Sequence, residues 1–409
     1  MTGPGGRSIR QAPGLARCVG DVPGFLDRYW TRAPLHHAGA DRAAFADLFS
    51  VEDVDRFVAS SSPRLPTFRL VRDGRPLDPS AYTRTAKGGG QPVAGMGDPG
   101  RIFDELRSGA TIVLQGLQRS CAPLTRFCRV LELELLHGVQ ANAYVTPAGS
   151  RGLGVHYDTH DVFVLQLAGT KAWTIHEPVL ADPVPSQPWK GSAADAGPPV
   201  LAVDLQAGDC LYVPRGFLHS AQAQEALSAH LTIGVVTTTW HDVVRELVAG
   251  VAEEPEFRQA LPPGYADEPA ALTAGVEEAL ARLRKWLDGV DAEAVAAATA
   301  RRFLAGRPPI LAGQLQQLGM LDELGDESVL RRREGSVCHQ VAAGERLTVV
   351  LGGGRELDMP AALTPAMARI AGAGAFRLAD LGDLLDGPSR LVLARRLVGE
   401  GLLEIVDLG

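Results

Sequence analysis

The six residues VHYDTH, at positions 155–160, contain three side chains that can bind a metal ion: His156, Asp158 and His160. Successive side chains of a β-strand point to opposite faces, so this i, i+2, i+4 spacing would place all three on one face. Imidazole nitrogens and carboxylate oxygens are both ligands of first-row transition metals. The stretch therefore indicates a metal site, but it leaves open which of the three are ligands.

A later segment, GDCLYVPRGFLHSA at 208–221, offers a second source of ligands. Its pattern predicts a turn, a short strand and a tight reversal at residues 214–216 that presents His219. Two imidazoles and one carboxylate on one face of an octahedron leave three positions open, as in non-haem Fe(II) oxygenases. A bare His-x-Asp pair arises often by chance, and it is the pairing with His219 that makes a metal site the favoured interpretation.

The composition is that of an ordinary globular protein, with 45% hydrophobic and 22% charged residues among 409. The formal net charge is -8, which argues against nucleic acid as a partner because phosphate contacts need clustered Lys and Arg. No apolar run is long enough for a transmembrane helix, and the N-terminal residues lack the apolar core of a secretory signal. Five scattered cysteines fit a reduced protein, so we expect a cytoplasmic location and no membrane association.

The pattern of elements changes along the chain and suggests three domains. Short apolar or alternating segments between Gly and Pro turns over 139–240 predict a β-sandwich or barrel. Residues 241–334 are rich in Ala, Leu, Glu and Arg at helical spacing. A helix, a glycine turn and a strand near the end of 335–409 favour a winged-helix-like unit. We therefore predict a catalytic domain at 1–240, a helical domain at 241–334 and a winged-helix-like domain at 335–409.

Several motifs resemble the JmjC-type ribosomal oxygenases of the cupin-4 group, which include bacterial arginyl hydroxylases and human ribosomal histidyl hydroxylases. The resemblance is carried by NAYVTPAGSRGLGVHYDTHDVFVLQLAGTKAW, GDCLYVPRGFLHSA and AHLTI, with FLDRYWTRAPL near the start. It implies an α+β chain with a double-stranded β-helix (cupin/JmjC) core. It also implies a helical dimerisation region, and hence a homodimer, before a C-terminal winged helix.

The same resemblance implies that His156, Asp158 and His219 bind Fe(II), and that 2-oxoglutarate and O2 are co-substrates. In the histidyl hydroxylases a lysine fifteen residues after the first ligand binds the distal carboxylate of 2-oxoglutarate, and here that position is Lys171. Lysine occurs only four times among 40 basic residues, so its presence here calls for a local reason. A compact ammonium suits a narrow pocket end better than a guanidinium fork. The alternative is a solvated lysine in a turn.

Four further residues match family positions that line the pocket for cofactor and substrate. Asn142 and Tyr144 lie in NAYV, and His230 and Thr232 lie in AHLTI, which the resemblance makes the closing strand beside the cofactor. For each of them the alternative is an ordinary strand residue. We list all four as candidate cofactor-binding residues.

Three residues are candidates for contact with the substrate. Family members carry an aromatic or apolar residue at the position of His160, which we place at the pocket rim or leave as a partly buried histidine. Asp161 matches an acidic residue of the family that holds a supporting hydrogen bond or contacts the substrate. Gly234 departs from the histidyl hydroxylases, where a serine touches the target, so a ribosomal histidine target does not follow.

The expected function is hydroxylation of a side-chain carbon of a protein or peptide by an Fe(II)- and 2-oxoglutarate-dependent dioxygenase. The substrate could be a ribosomal protein or a peptide natural-product precursor. One alternative is a metal-binding cupin with other chemistry, against which Lys171 argues. A second alternative is a non-enzymatic protein that binds a partner, against which the intact set of three ligands argues.

Overall fold

The computed structural model describes residues 13–61 and 63–409. The first twelve residues, on which the expectation of no secretory signal rests, lie outside the described residues. The chain divides into two compact units, one ending at Thr237 and the other comprising Thr238–Gly409. The predicted division into three domains, with a further boundary near residue 334, stays a prediction.

The first unit combines short helices with a large amount of sheet. Its helices are α1 (Pro13–Val19), α2 (Val22–Arg28), α3 (Val51–Ser60), α4 (Pro99–Arg107) and α5 (Ala122–Leu135). Its strands are β1 (Leu35–His37), β2 (Phe68–Arg72), β3 (Arg75–Pro76), β4 (Thr83–Gly88), β5 (Gln91–Gly97), β6 (Thr111–Leu114), β7 (Gly138–Thr146), β8 (Asp161–Ala168), β9 (Lys171–Pro178), β10 (Pro199–Leu205), β11 (Cys210–Val213), β12 (Phe217–Ala223) and β13 (Ser228–Val236).

Two sheets of this unit enclose an interior, as in the double-stranded β-helix. The larger sheet has the order β1-β11-β8-β13-β7-β6-β2-β3, and the smaller has the order β10-β9-β12. Side chains from both sheets meet in one apolar cluster that includes Val164 of β8, Ile175 of β9 and Leu211 of β11. The β-rich segment predicted between 139 and 240 thus forms the two walls of the pocket described below.

Strand β8 shows why the segment VFVLQL is apolar at nearly every position. Val162 and Val164 face the interior between the sheets, whereas Phe163 and Leu165 belong to the larger core beneath the helices. A strand buried on both faces loses the polar alternation of a half-exposed strand. The helices that cover this core begin at local capping motifs. For example, Ser50 and Asp53 form the reciprocal hydrogen bonds of a capping box at the start of α3.

The second unit is mainly helical at first and then mixed. Its helices are α6 (Trp240–Ala249), α7 (Thr273–Asp288), α8 (Ala292–Ala305), α9 (Gln314–Gly319), α10 (Thr364–Gly372) and α11 (Gly387–Gly399). Its strands are β14 (Val329–Arg332), β15 (His339–Ala343), β16 (Arg346–Val350), β17 (Glu356–Pro360), β18 (Ala375–Arg377) and β19 (Leu403–Asp407). They form the sheets β18-β14-β19 and β15-β16-β17.

The core of this second unit lies in its C-terminal part. Residues such as Leu330, Met367 and Leu397 are fully buried in one apolar cluster, which receives side chains from both sheets and from α10 and α11. Helices α6 and α7 contribute no buried residue. Within the described ranges, no helix is long and apolar enough to cross a membrane.

Candidate metal centre

The backbone itself joins the two segments that carry the candidate ligands. The amide of His219 donates to the carbonyl oxygen of His156 at 2.8 Å, and the amide of His156 donates to the carbonyl oxygen of His219 at 3.1 Å. His156 takes part in this isolated antiparallel bridge and in no longer strand of the described chain. Residues 157–160 then turn away from the bridge before β8 begins. The stretch VHYDTH is therefore not the single strand that its spacing suggested.

Three ligand-type side chains converge at this bridge: His156, Asp158 and His219, with candidate ligand atoms within 4.8 Å of one another. The imidazole rings of the two histidines lie 4.4 Å apart, and Nε2 of His219 is 3.8 Å from Oδ2 of Asp158. Each imidazole Nδ1 lies at hydrogen-bond distance from a backbone carbonyl oxygen, 2.7 Å from Gly154 and 3.0 Å from Phe217. Both Nε2 atoms are thus turned toward the shared space, as metal-binding imidazoles require.

The charges in the cluster suit a divalent cation. Burial lowers the pKa of His219 to about 4, with the nearby His156 adding to the effect, so this imidazole is neutral near pH 7. Burial by itself would raise the pKa of Asp158, but His219, His160 and His156 together hold it below its ordinary value. A neutral imidazole and an ionised carboxylate are the protonation states that bind metals.

A tight turn at residues 214–216 brings His219 to the cluster, and Asp161 supports that turn. Gly216 has a φ of +86°, and its amide donates to the carbonyl oxygen of Asp158 at 3.0 Å. Oδ1 of the fully buried Asp161 accepts from the amide of Arg215 at 2.8 Å. Burial raises the pKa of this carboxyl despite that hydrogen bond. Asp161 lies outside the pocket lining, so the structure places it as a support of the turn.

One pocket connects the three-residue cluster to Lys171. Its lining residues are Tyr144, Gly152, Leu153, His156, Asp158, Val162, Val164, Lys171, Trp173, Val213, His219, Ser220, Ala221, His230 and Thr232. Only 3% of Lys171 is exposed, and its Nζ donates to Oγ1 of Thr146 at 3.1 Å. Within the described part of the chain no carboxylate pairs with it. Burial consequently lowers the pKa of Lys171 to about 7.

Three of the four predicted cofactor-binding residues line this pocket. The Tyr144 and His230 rings stack with centroids 5.0 Å apart and an interplanar angle of 1°. Nδ1 of the buried His230 has no hydrogen-bond partner among the residues described. Thr232 also lines the pocket, on the same face of β13. Asn142 does not, since its side-chain oxygen accepts from the amide of Gly116 at 3.0 Å.

His160 and Gly234 lie against each other instead of among the ligands. A Cβ atom built on Gly234 would lie 2.6 Å from Cδ2 and 2.7 Å from Nε2 of the His160 ring. His160 contributes to the electrostatic environment of Asp158 and His219, so it is close to the cluster without belonging to it. The structure thus separates this second histidine of the VHYDTH motif from the other two ligand-type residues of the motif, His156 and Asp158.

Other pocket features were missed by sequence reasoning. Thr146 holds Lys171 and lies two residues beyond Tyr144 on β7, so strand alternation could have identified it. Trp173 lines the pocket two residues after Lys171 by the same rule. Arg69 of β2 lies near enough to lower the pKa of Asp158, and no pattern in the local sequence connects it to this site.

Comparison with known proteins shows what the chain is similar to. A profile of the JmjC domain matches residues 117–243. Ribosomal oxygenase 1 of Gallus gallus is 31% identical over 317 residues, covering 72% of this chain and 51% of that protein. The bifunctional lysine-specific demethylase and histidyl-hydroxylase NO66 of Dictyostelium discoideum is 29% identical over 255 residues, covering 60% of this chain and 48% of that protein. The chain thus spans about half the length of the curated relatives it matches.

The solved structures of the ribosomal oxygenase YcfD from Escherichia coli share the fold. One of them, a complex with cobalt and 2-oxoglutarate, has a TM-score of 0.52 at 19% identity and covers 94% of this chain and 98% of that one. Another has a TM-score of 0.53 at 18% identity. Together with the relatives named ribosomal oxygenases, this likeness leads to one conclusion: the chain contains a JmjC domain over residues 117–243 and is similar to the ribosomal oxygenases.

Proposed function

We propose that this chain is an Fe(II)- and 2-oxoglutarate-dependent oxygenase that hydroxylates a side-chain carbon of a protein or peptide. The observation that carries the proposal is the pairing of a two-histidine, one-carboxylate cluster with the buried ammonium of Lys171 in one pocket. A charge removed from water needs a counter-charge, and among the described residues none is supplied to this lysine. A dicarboxylate that reaches from the metal to Lys171 would provide it.

The donor set fits Fe(II). His156 and His219 offer one Nε2 each and Asp158 offers a carboxylate oxygen, and all three lie within 4.8 Å of one another. Carbonyl oxygens behind both rings fix the imidazole orientation, as in metal sites generally. Three protein ligands leave room for a chelating co-substrate and for O2, which is the arrangement of the non-haem iron oxygenases.

The deep end of the pocket fits the distal carboxylate of 2-oxoglutarate. Lys171 supplies the ammonium, and Thr146 can keep its hydrogen bond to Nζ while a ligand oxygen takes another of the three donor positions. The unpartnered Nδ1 of His230 is a further polar group in the same lining. These observations support Lys171, His230, Tyr144 and Thr232 as co-substrate residues, and Asn142 has less support.

The residues of the chain have distinct tasks in the proposed reaction. When bound, Fe(II) with 2-oxoglutarate and O2 supplies the oxidising chemistry that inserts an oxygen atom into a C–H bond. His156, Asp158 and His219 hold the metal, and Lys171 orients the co-substrate toward it. The stacked rings of Tyr144 and His230 with Trp173 against them exclude water from the space around the co-substrate.

The experiment that tests the proposal uses the full chain with Fe(II), ascorbate and 2-oxoglutarate. Peptides of about twenty residues that tile the ribosomal proteins serve as probes, and mass spectrometry looks for the gain of one oxygen atom. His219→Ala should abolish the gain. His176→Ala should leave it intact, because the His176 ring bonds to the carbonyl oxygen of Gly197 outside the pocket. Oxygen gain in the His219→Ala reaction would contradict the proposed metal site.

We further propose that the protein is a homodimer formed through the helices of 241–334. On α7 the side chains of Val276, Leu280 and Leu287 lie along one stripe and are 50%, 45% and 39% exposed. Trp240, at the start of α6, is 84% exposed. Apolar side chains at helical spacing normally cover a core, so a second copy of the chain is the proposed partner of this stripe.

The remaining assignments are also proposals. Residues 335–409 are proposed as a winged-helix-like domain, with α10, α11 and the sheet β18-β14-β19 as its main elements. Several of its arginines are engaged in ion pairs, as in Arg369 with Asp383 and Arg390 with Asp326, which argues against nucleic acid as a partner. The five cysteines are unpaired, which supports a cytoplasmic location.

A further inference from the structure

The contact between His160 and Gly234 bears on how the pocket is built. A Cβ at residue 234 would fall 2.6 Å from one ring atom of His160, closer than side-chain atoms approach in real proteins. The same Cβ would lie 3.2 Å from Cγ of Gln140, so the histidine ring is the main obstacle. Gly234 is not among the glycines with positive φ, and its backbone would accept a side chain if the ring were absent. The ring of His160 therefore occupies the volume of a side chain at residue 234.

That volume lies on the pocket side of β13. His230 and Thr232 line the pocket, and Gly234 continues the same face two residues further along the strand. In the larger sheet Gly234 stands opposite Gln140 of β7 and Val162 of β8. The space over Gly234 is therefore filled by the ring of His160, which comes from the loop after Asp158, and not by a side chain of β13.

The His160 ring is also free to bind. Neither of its nitrogens forms a hydrogen bond within residues 13–61 and 63–409. Three other histidines of the same unit do form such contacts: His156 with Gly154, His219 with Phe217 and His36 with Asp209. A half-buried imidazole close to the cluster of His156, Asp158 and His219, with both ring nitrogens unused, can bind a polar group that approaches the cluster.

We propose that His160, seated on Gly234, is the specificity-determining residue that contacts the target side chain. The inference rests on the proposed oxygenase function and deepens it. The unused nitrogens favour a target whose side chain carries a hydrogen-bonding group, such as an amide, hydroxyl, imidazole or guanidinium, over an aliphatic one. The His160 ring and a side chain at position 234 would occupy the same space. The residues at positions 160 and 234 are therefore sterically coupled.

A thermal-unfolding cycle tests the shared volume and needs no substrate. Gly234→Ser should lower the midpoint of unfolding by roughly 3–10 °C, because the added atoms overfill the site. In a His160→Ala background the same change should shift the midpoint by less than roughly 2 °C. Equal shifts in both backgrounds would overturn the proposed steric coupling.

Steady-state kinetics with the peptide that the wild type hydroxylates test the binding role. His160→Ala should raise the peptide KM about tenfold, the loss expected for one hydrogen bond, with a smaller change in kcat. His160→Gln keeps a donor and an acceptor and should recover most of the affinity, whereas His160→Phe keeps a ring without nitrogen and should not. His176→Ala is the matched control and should leave KM unchanged.

The outcomes separate this inference from the function on which it rests. If the wild type oxidises 2-oxoglutarate and hydroxylates a peptide, but KM is the same in all the His160 variants, the inference is wrong while the function stands. Hydroxylation of a leucine, isoleucine or valine side chain would likewise overturn it. Absence of any 2-oxoglutarate turnover in the metal-loaded wild type would instead reject the proposed function, and the substrate-contact role would fall with it.

Discussion

The amides of His156 and His219 each donate a hydrogen bond to the other residue's carbonyl oxygen, at 3.1 and 2.8 Å. This reciprocal pair fixes the spacing of two imidazoles that come from distant parts of the chain. Their Nδ1 atoms are held at 2.7 and 3.0 Å from the carbonyl oxygens of Gly154 and Phe217. The backbone thus orients both rings, so little conformational entropy is left to lose on metal binding.

The first prediction concerns which histidines bind the metal. His219→Ala should weaken Co(II) binding by roughly 100-fold or more. Removing a residue that only hydrogen-bonds to a metal ligand already lowers metal affinity by about 10–100-fold, and loss of the ligand itself should lower it further. His160→Ala should change Co(II) affinity by less than about threefold, because its ring lies outside the cluster. The measurement is a titration of Co(II) into the apo protein. Metal loss in His160→Ala with retention in His219→Ala would show the assignment to be wrong.

The second prediction concerns Lys171. Lys171→Ala leaves the distal carboxylate of 2-oxoglutarate buried without a counter-charge, at a cost of roughly 3–5 kcal/mol. The half-saturating concentration of 2-oxoglutarate for succinate production should therefore rise about a hundredfold or more. Lys171→Arg should also be impaired, because the planar fork crowds a site built for an ammonium.

The control for Lys171 is Lys190→Ala, since Lys190 is exposed. Its half-saturating concentration should match the wild type. An unchanged value in Lys171→Ala would remove the main support for 2-oxoglutarate as the co-substrate, whatever the metal affinity of that variant.

The third prediction is a pH dependence of co-substrate binding. Burial lowers the pKa of Lys171 to about 7, whereas the bound carboxylate requires the protonated ammonium. Below pH 7 the lysine already carries its proton and the apparent Kd should be nearly constant. Above pH 7 the free protein loses that proton and must regain it on binding, so the Kd should rise by up to about tenfold per pH unit.

Calorimetry of the Co(II)-loaded protein with 2-oxoglutarate between pH 6 and pH 9 measures this dependence. Buffers with different ionisation enthalpies should reveal uptake of close to one proton at the alkaline end. Lys171→Ala should show neither the slope nor the proton uptake. A Kd in the wild type that is flat from pH 7 to pH 9 would contradict a lysine with a lowered pKa at the binding site.

The fourth prediction concerns the exposed stripe of α7. Light scattering at micromolar concentration should give about twice the chain mass of 43.3 kDa. Leu280→Asp places a charge in the stripe, where Leu280 is 45% exposed, and should shift the mass to that of one chain. Lys285→Asp, at an exposed position on another face of α7, should remain dimeric. A wild-type mass near that of one chain would be evidence against the dimer.

Residue types and spacing, together with the resemblance to the ribosomal oxygenases, were enough to name the candidate ligands and the lysine. His156 and Asp158 stand out because a later segment supplies His219 as a third ligand-type residue, and Lys171 stands out because lysine is rare in this chain. The β-rich segment was predictable as well, since strand alternation and buried apolar runs are local properties. None of these inferences needed to know how distant strands are paired.

Only the tertiary structure decided which other side chains reach the pocket. His160 looked like a third ligand at strand spacing, but the chain leaves extended structure after His156 and the ring comes to lie on Gly234. Asn142 is drawn away by the amide of Gly116, and Arg69 approaches the site across the sheet from β2. Such relationships depend on strand register and on loop paths, which are set by packing of the whole unit and not by local sequence.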